Sequence, residues 1–122
     1  MSGMRGLTIV VAEASPQRFR TALTMAAAQA AMGGHARLFL DAAAVVLLQA
    51  GSHGDEPDLR AAGLPTASDL FEEALSLGVT VAACQSGLAL AGLDASTLDP
   101  RVGYGGMVGL LQQLGDDRLV VV

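Results

Sequence analysis

The sequence contains little of several residue types on which many proteins depend. It has one cysteine and no tryptophan among 122 residues, and aromatic residues make up only 3% of the chain. A single cysteine excludes an intramolecular disulfide and agrees with a reducing compartment, so we expect a cytoplasmic protein. Because aromatic rings are so few, the core must consist of Ala, Val, Leu and Ile in closely packed layers.

Charge is scarce as well. Charged residues make up 16% of the chain, and the formal net charge is −5 with only seven Lys plus Arg. The absence of a basic cluster disfavours binding to nucleic acid or to an anionic membrane. The apolar runs are shorter than the roughly 20 residues of a membrane span, and no targeting segment is visible. Since hydrophobic residues reach 52%, we expect part of this surface to be buried in a homo-oligomer.

Short apolar runs alternate with helical patterns along the whole chain. The runs are typical of strands that are covered on both faces, and several helical patterns begin at a capping residue or end at glycine. This alternation predicts a single α/β domain over residues 1–122, with a parallel sheet and helices on both faces. The predicted strands are 7–12, 36–40, 79–83, 102–104 and 119–122, and the predicted helices are 16–32, 42–49, 68–77, 86–93 and 106–114.

The middle of the chain is the least regular part. Residues 50–67 include three glycines and two prolines, which predicts an irregular loop that is either functional or mobile. His53 lies in this loop, where a histidine is more often solvated than functional. Ser68 and Glu72 resemble a capping box, although Glu72 is one residue beyond the usual position, so we expect a helix to begin at Ser68.

Ligands of parallel sheets bind beyond the carboxyl ends of the strands. Cys84 ends a predicted strand there, and Gln85, Ser86 and Gly87 begin the next helix. Unpaired amide N–H groups and the positive end of the helix dipole then face the sulfur. This placement favours the thiolate, which is the nucleophilic form. The alternative is that Cys84 is simply a small hydrophobic residue packed at a strand end.

Other residues follow strands at the same edge. Glu13 and Asp41 are each either a binding group or a helix cap, and capping is the expectation for Asp41. The glycine-rich stretch 103–109 lacks the third glycine of the dinucleotide fingerprint, because Val108 occupies that place. We expect a tight strand-to-helix turn at Gly105 and Gly106 that lies beside Cys84 and brings its backbone close to the neighbouring loop.

Cofactor and metal sites are not indicated by the sequence. A Walker lysine and a nucleophile-elbow serine motif are both lacking, so no cofactor is expected. His35, His53 and Cys84 lack the spacing of metal ligands, so no metal is expected. His35 begins the second predicted strand, at the end opposite the expected site.

Residues 68–93 resemble the DsrE/DsrF-like family. A helix beginning Ser68-Asp-Leu-Phe-Glu-Glu, a Gly-Val turn and a buried strand lead to Cys84-Gln-Ser-Gly, and a short helix then closes on Gly92. The stretch Arg101-Val-Gly-Tyr-Gly-Gly106-Met resembles the family's glycine turn. The resemblance implies a mainly parallel five-stranded sheet and assembly into trimers or hexamers. In the sulfur-relay members, the cysteine matching Cys84 carries a persulfide between a donor and an acceptor protein.

Three functions are open on the sequence. The first is a sulfur carrier in which Cys84 holds sulfur beside the amides of Gln85–Gly87, with Glu13, Gly105 and Gly106 as further binding residues. A lone cysteine suits this role, since no resolving thiol can expel the sulfur. The second is a non-catalytic oligomeric module that binds a small molecule between subunits, with the 50–67 loop as a lid. The third, a thiol redox enzyme, is least favoured because its turnover needs an external thiol.

Overall fold

Five parallel strands form the centre of the protein in the computed structural model, which describes residues 4–49 and 56–122. Their order across the sheet is β4-β3-β2-β1-β5. The predicted parallel sheet of five strands is therefore confirmed. In chain order, the elements are β1 Leu7–Val11, α1 Pro16–Ala31, β2 Ala36–Leu40, a 3₁₀ helix Ala42–Leu48, α2 Glu56–Ala61, α3 Ala67–Ser76, β3 Thr80–Cys84, α4 Gln85–Ala91, a 3₁₀ helix Ala95–Thr97, β4 Gly103–Gly105, α5 Met107–Gln112 and β5 Arg118–Val121.

The main core lies on one face of the sheet, beneath α1 and α3. Alternate residues of the central strands point into it, among them Ile9, Leu38 and Val81, because successive side chains of a strand face opposite sides. Helix α1 packs against β1 and β2 and also against α3. Phe19 and Phe71 join the two helices, with ring centroids 6.2 Å apart. A core with so few rings is otherwise built from small aliphatic side chains.

Helix α5 covers the opposite face. It follows β4 at one edge of the sheet and leads to β5 at the other edge, so its connection runs back across the sheet. The crossovers through α1 and α3 run in the reverse direction. Since parallel crossovers are right-handed, this reversal places α5 on the other side of the sheet. The prediction of helices on both faces is confirmed.

The prediction for residues 50–67 is partly wrong. Residues 50–55, and with them His53, lie outside the described residues, but residues 56–61 form helix α2. This helix has Glu56 and Asp58 in its first turn and Arg60 in its last, which is the charge arrangement that complements a helix dipole. The glycines and prolines around the segment outweighed this signal in the sequence.

The predicted start of α3 is also wrong. Thr66, not Ser68, is the N-cap: its hydroxyl accepts the amide N–H of Asp69 at 3.0 Å, and the amide of Thr66 donates to the Asp69 carboxylate at 3.0 Å. The capping box therefore uses the shorter Asp at the normal spacing. Ser68 instead donates its hydroxyl to Glu56 Oε1 at 2.9 Å and so ties α3 to α2.

Asp41 stands at the N-cap position of the 3₁₀ helix 42–48, but its side chain makes no capping hydrogen bond. The cap is made by the backbone, because the Asp41 carbonyl accepts the amide N–H of Ala44 at 2.9 Å. The expectation that the Asp41 carboxylate caps this helix is therefore wrong. Within the described ranges, every helix falls short of the length and hydropathy needed to cross a membrane.

Candidate functional site

Cys84 is at once the last residue of β3 and the N-cap of α4. Its Sγ accepts the amide N–H of Gly87 at 3.4 Å. The side chain is half-buried: it packs against the edge of the main core without being sealed from solvent. The predicted arrangement, a sulfur at a strand-to-helix junction with a main-chain donor directed at it, is present. A donor of this kind stabilises negative charge on sulfur.

Gly87 owes its place to close contact between α4 and the 3₁₀ helix 42–48. A Cβ atom added to Gly87 would overlap the carbonyl oxygen of Ala42. Ala42 itself has φ +48°, and it is the sole non-glycine residue with positive φ among those described. This left-handed conformation is unusual for alanine and is retained only where the surrounding packing requires it. The amide that donates to Cys84 is thus held by a tight and partly strained backbone contact.

Gly105 lies directly beside Cys84. In the parallel pairing of β3 with β4, Cys84 is the register partner of Gly105, and Ala83 is that of Tyr104. The strand ends at Gly105, and Gly106 is the N-cap of α5, so the predicted turn is where the sequence placed it. A Cβ added at Gly105 or Gly106 meets no described atom within 4 Å, so lack of space for a side chain does not require glycine at either position. The expected close approach of this turn to the neighbouring loop stays a prediction.

The remaining predicted binding residues spread along the sheet edge. Gln85 and Ser86 are exposed in the first turn of α4. Glu13 follows β1, which β2 separates from β3, and its carboxylate pairs with Arg18 at 3.7 Å on the exposed surface. Asp41 follows β2 between them and is half-buried. The structure thus groups Gln85, Ser86 and Gly105 around Cys84 and places Glu13 two strands away.

In the described part of the chain, no three His, Cys, Asp or Glu residues come together in a group that could hold a metal ion. His35 is exposed and precedes β2, at the amino end of the strand. Its predicted position opposite Cys84 is confirmed.

An ion-pair group that the sequence reasoning missed joins α3 to the chain before β4. Arg101 donates to both carboxylate oxygens of Glu72, at 2.6 and 3.1 Å, and to Asp99 at 2.8 Å. Its hydrogen bonds lower the pKa of Asp99 to about 2, and they also lower the pKa of Glu72. Glu72 therefore serves as a partner for Arg101, not as the capping residue expected for α3. Such a pair leaves no local pattern in the sequence, because its members are 29 positions apart.

Residues 5–122 match the DsrE/DsrF-like family, so the chain belongs to that family. Two solved structures are similar in fold. One is the crystal structure of the ychN protein from E. coli, at 21% identity and a TM-score of 0.70, covering 98% of this chain and 100% of that one. The other is a conserved protein of unknown function, BT1422 from Bacteroides thetaiotaomicron, at 20% identity and a TM-score of 0.72, covering 100% and 98%. A comparison with curated proteins finds no match.

Proposed function

We propose that the protein is a sulfur carrier that holds sulfane sulfur as a persulfide on Cys84. The observation that carries the proposal is the hydrogen bond from the Gly87 amide to Cys84 Sγ at the carboxyl edge of the sheet. It directs a main-chain donor at the sulfur of the chain's one cysteine. Membership of a family linked to sulfur relay supports the same reading.

The proposed loading step is a transfer without net oxidation. The Cys84 thiolate attacks the outer sulfur of a persulfide, R–S–SH, on a donor protein. A new S–S bond forms at Cys84 while the donor S–S bond breaks, and the donor leaves as its thiolate R–S⁻. Delivery repeats the step in the other direction, when an acceptor thiolate attacks the outer sulfur on Cys84 and releases the Cys84 thiolate.

A carrier is favoured over a redox enzyme by the cysteine count. With no second thiol in the chain, a persulfide on Cys84 cannot be resolved into an internal disulfide, so the sulfur is retained until an acceptor arrives. The same lone thiol suits a reducing compartment, and the proposal therefore places the protein in the cytoplasm. Partners of the carrier are a sulfur donor protein and a sulfur acceptor protein.

The proposal includes assembly into a homo-oligomer, either a trimer or a hexamer. Supporting it, α5 and the strand before it expose an apolar surface formed by Tyr104, Met107, Val108 and Leu111, with Val108 72% exposed. None of the six residues of α5, all of which the structure describes, is buried. Folded monomers rarely expose many large apolar side chains in one region, so these residues favour an interface between copies of the chain.

Mass spectrometry of the intact protein tests the loading step. The wild-type chain is incubated with a protein persulfide donor and is expected to gain the mass of one sulfur atom, which a reductant then removes. Cys84→Ser should gain none, and Ser96→Ala, which alters an exposed serine outside the site and leaves the thiol in place, should gain as much as wild type. Equal gain by Cys84→Ser, or no gain by wild type, would refute the carrier.

A further inference from the structure

A cavity of about 170 Å³ lies between α5 and the sheet face that it covers. Its floor includes Phe39 and Ala82, from adjacent strands. Its roof is a single stripe of the helix, because Gly106, Gly109, Leu110 and Gln113 recur at the three- and four-residue spacing of one helical face. The stripe that faces the sheet thus contains two glycines, whereas the apolar Val108 and Leu111 are exposed.

The cavity exists because two residues of this stripe are glycines, which have no side chain. A Cβ added at Gly106 or Gly109 meets no described atom within 4 Å, so neither position is glycine for want of space. The helix is instead fixed at its carboxyl end, where the guanidinium of Arg37 donates to the carbonyl oxygen and to the side-chain oxygen of Gln113. Protein interiors seldom leave such gaps unfilled. The helix is thereby held over the sheet, and its two glycines leave space beneath it unfilled.

The charge in the cavity wall is already compensated. Arg37, which lines the cavity, pairs with Asp117 at 3.3 Å, and their side chains are only 17% and 11% exposed. The same Asp117 oxygen accepts the hydroxyl of the buried Thr8 at 2.9 Å. An ionised ligand would therefore find no free counter-charge in this wall and would lose its hydration without compensation. The wall favours an uncharged ligand.

The wall nevertheless offers hydrogen bonds. Thr80, Tyr104 and Gln113 are among the residues that line it, together with Phe39. A small number of polar groups around an apolar floor is the usual composition of a small-molecule site.

We propose that this cavity binds an uncharged, ring-sized molecule that carries one hydrogen-bonding oxygen. An apolar cavity of about 150 Å³ accommodates benzene, so the space suits a six-membered ring with a hydroxyl group. Cys84 is not among the residues that line the cavity, although its register partner Gly105 is. The site is therefore separate from the sulfur chemistry proposed above, and either can fail without the other.

Titration of the full-length protein with phenol, benzoate and benzylamine tests the ligand class. Phenol is expected to bind saturably, with a Kd on the order of 1 mM. The two charged probes should bind at least about tenfold more weakly, since neither finds a counter-charge. Absence of saturable phenol binding, or binding of benzoate as tight as that of phenol, would overturn the proposal.

Variants on the two faces of α5 test the location. Gly109→Leu fills the cavity from its roof and should weaken phenol binding at least about tenfold, whereas Val108→Leu on the exposed face should leave it unchanged. Cys84→Ser should also leave it unchanged. If Gly109→Leu fails to fold, the location of the phenol site is still tested by the amide chemical shifts of the wild-type protein, followed by NMR during the titration. Saturable shifts centred on Ala82, Gly105 and Gly109 support the site, and shifts centred elsewhere contradict it.

Discussion

Gly87 in the first turn of α4 lies directly against the carbonyl oxygen of Ala42, with no room between them for a Cβ atom. The amide of the same glycine donates to Cys84 Sγ. The contact between two segments far apart in the chain therefore sets the position of the hydrogen bond at the sulfur. Stability and thiol reactivity are expected to respond together when it is disturbed.

Gly87→Ala is predicted to destabilise the protein by about 1–3 kcal/mol, because the new methyl group overpacks a backbone contact that cannot easily give way. Urea denaturation measures the change in the free energy of unfolding. The rate of persulfide loading on Cys84 should fall as well, since the amide donor is displaced. A variant as stable as wild type, with the same loading rate, would show that the contact is loose.

Gly109→Ala is the matched control for Gly87→Ala. It also replaces a helical glycine by alanine, but its Cβ meets no described atom within 4 Å. The gain in helix propensity should then stabilise the protein by roughly 0.5–1 kcal/mol. The pair of variants thus separates overpacking at residue 87 from the general effect of removing glycine from a helix. Destabilisation of both to the same extent would contradict the assigned contact.

Ala42→Gly should leave the stability of the protein nearly unchanged. The left-handed conformation at φ +48° costs alanine roughly 1–2 kcal/mol, and relief of this strain offsets the extra backbone entropy of glycine, roughly 0.5–1 kcal/mol. Ala43→Gly, at the next and exposed position, brings the entropy cost without any relief. Thermal or urea unfolding should therefore rank Ala43→Gly as the less stable variant. The reverse order would show that Ala42 is not strained.

Arg101→Gln should make stability less dependent on pH in acid. In the folded protein, Arg101 lowers the pKa of Asp99 from 3.8 to about 2. The stabilisation from this carboxylate is therefore fully present above pH 3.8 and is lost as the pH falls toward about 2. Urea unfolding at a series of pH values should show that the free energy of unfolding falls less steeply with decreasing pH in Arg101→Gln than in wild type.

The control for this prediction is Arg18→Gln, which removes the same charge from the exposed pair with Glu13. Its acid profile should run parallel to that of wild type, because an exposed pair at 3.7 Å contributes little. Profiles of equal slope for wild type and Arg101→Gln would mean that Asp99 titrates normally in the folded chain.

Val108→Lys should reduce the molar mass of the assembly toward that of one 12.3 kDa chain, because a charge is introduced into the exposed apolar surface of α5. Light scattering coupled to size-exclusion chromatography measures this mass. Ser96→Lys introduces the same charge at an exposed polar position and should leave the assembly intact. A wild-type protein that is already monomeric would remove the proposed oligomer.

The arrangement of strands and helices could be predicted from the sequence because its signals are local. Apolar runs such as that of β1 and the Ser15-Pro16 cap of α1 act within a few residues, and the bounds agree closely with the structure. The start of α3 was predicted wrongly. The capping box is formed by Thr66 and Asp69, and the hydroxyl of Ser68 bonds Glu56, a tertiary contact that no local pattern shows.

The candidate site could also be predicted only in part from the sequence. The neighbouring positions of Cys84 and Gly105 follow from parallel pairing, which brings carboxyl ends of strands to one edge. The order of strands is not a local property, so the two-strand separation of Glu13 from Cys84 was not visible in advance. The contact of the Ala42 carbonyl oxygen with Gly87 could not be predicted either. It involves a backbone atom of Ala42, so it places no requirement on the residue type at position 42.

The most direct test of the proposed carrier follows one labelled sulfur atom into and out of the protein. The wild-type chain is loaded with radiolabelled sulfur from a persulfide donor, separated from the donor, and mixed with an acceptor thiol. The label should load at about one atom per chain, as a lone thiol allows, and should leave with the acceptor, while Cys84→Ser carries none. Label that stays on the wild-type chain, or that loads equally on Cys84→Ser, would contradict a role in sulfur transfer.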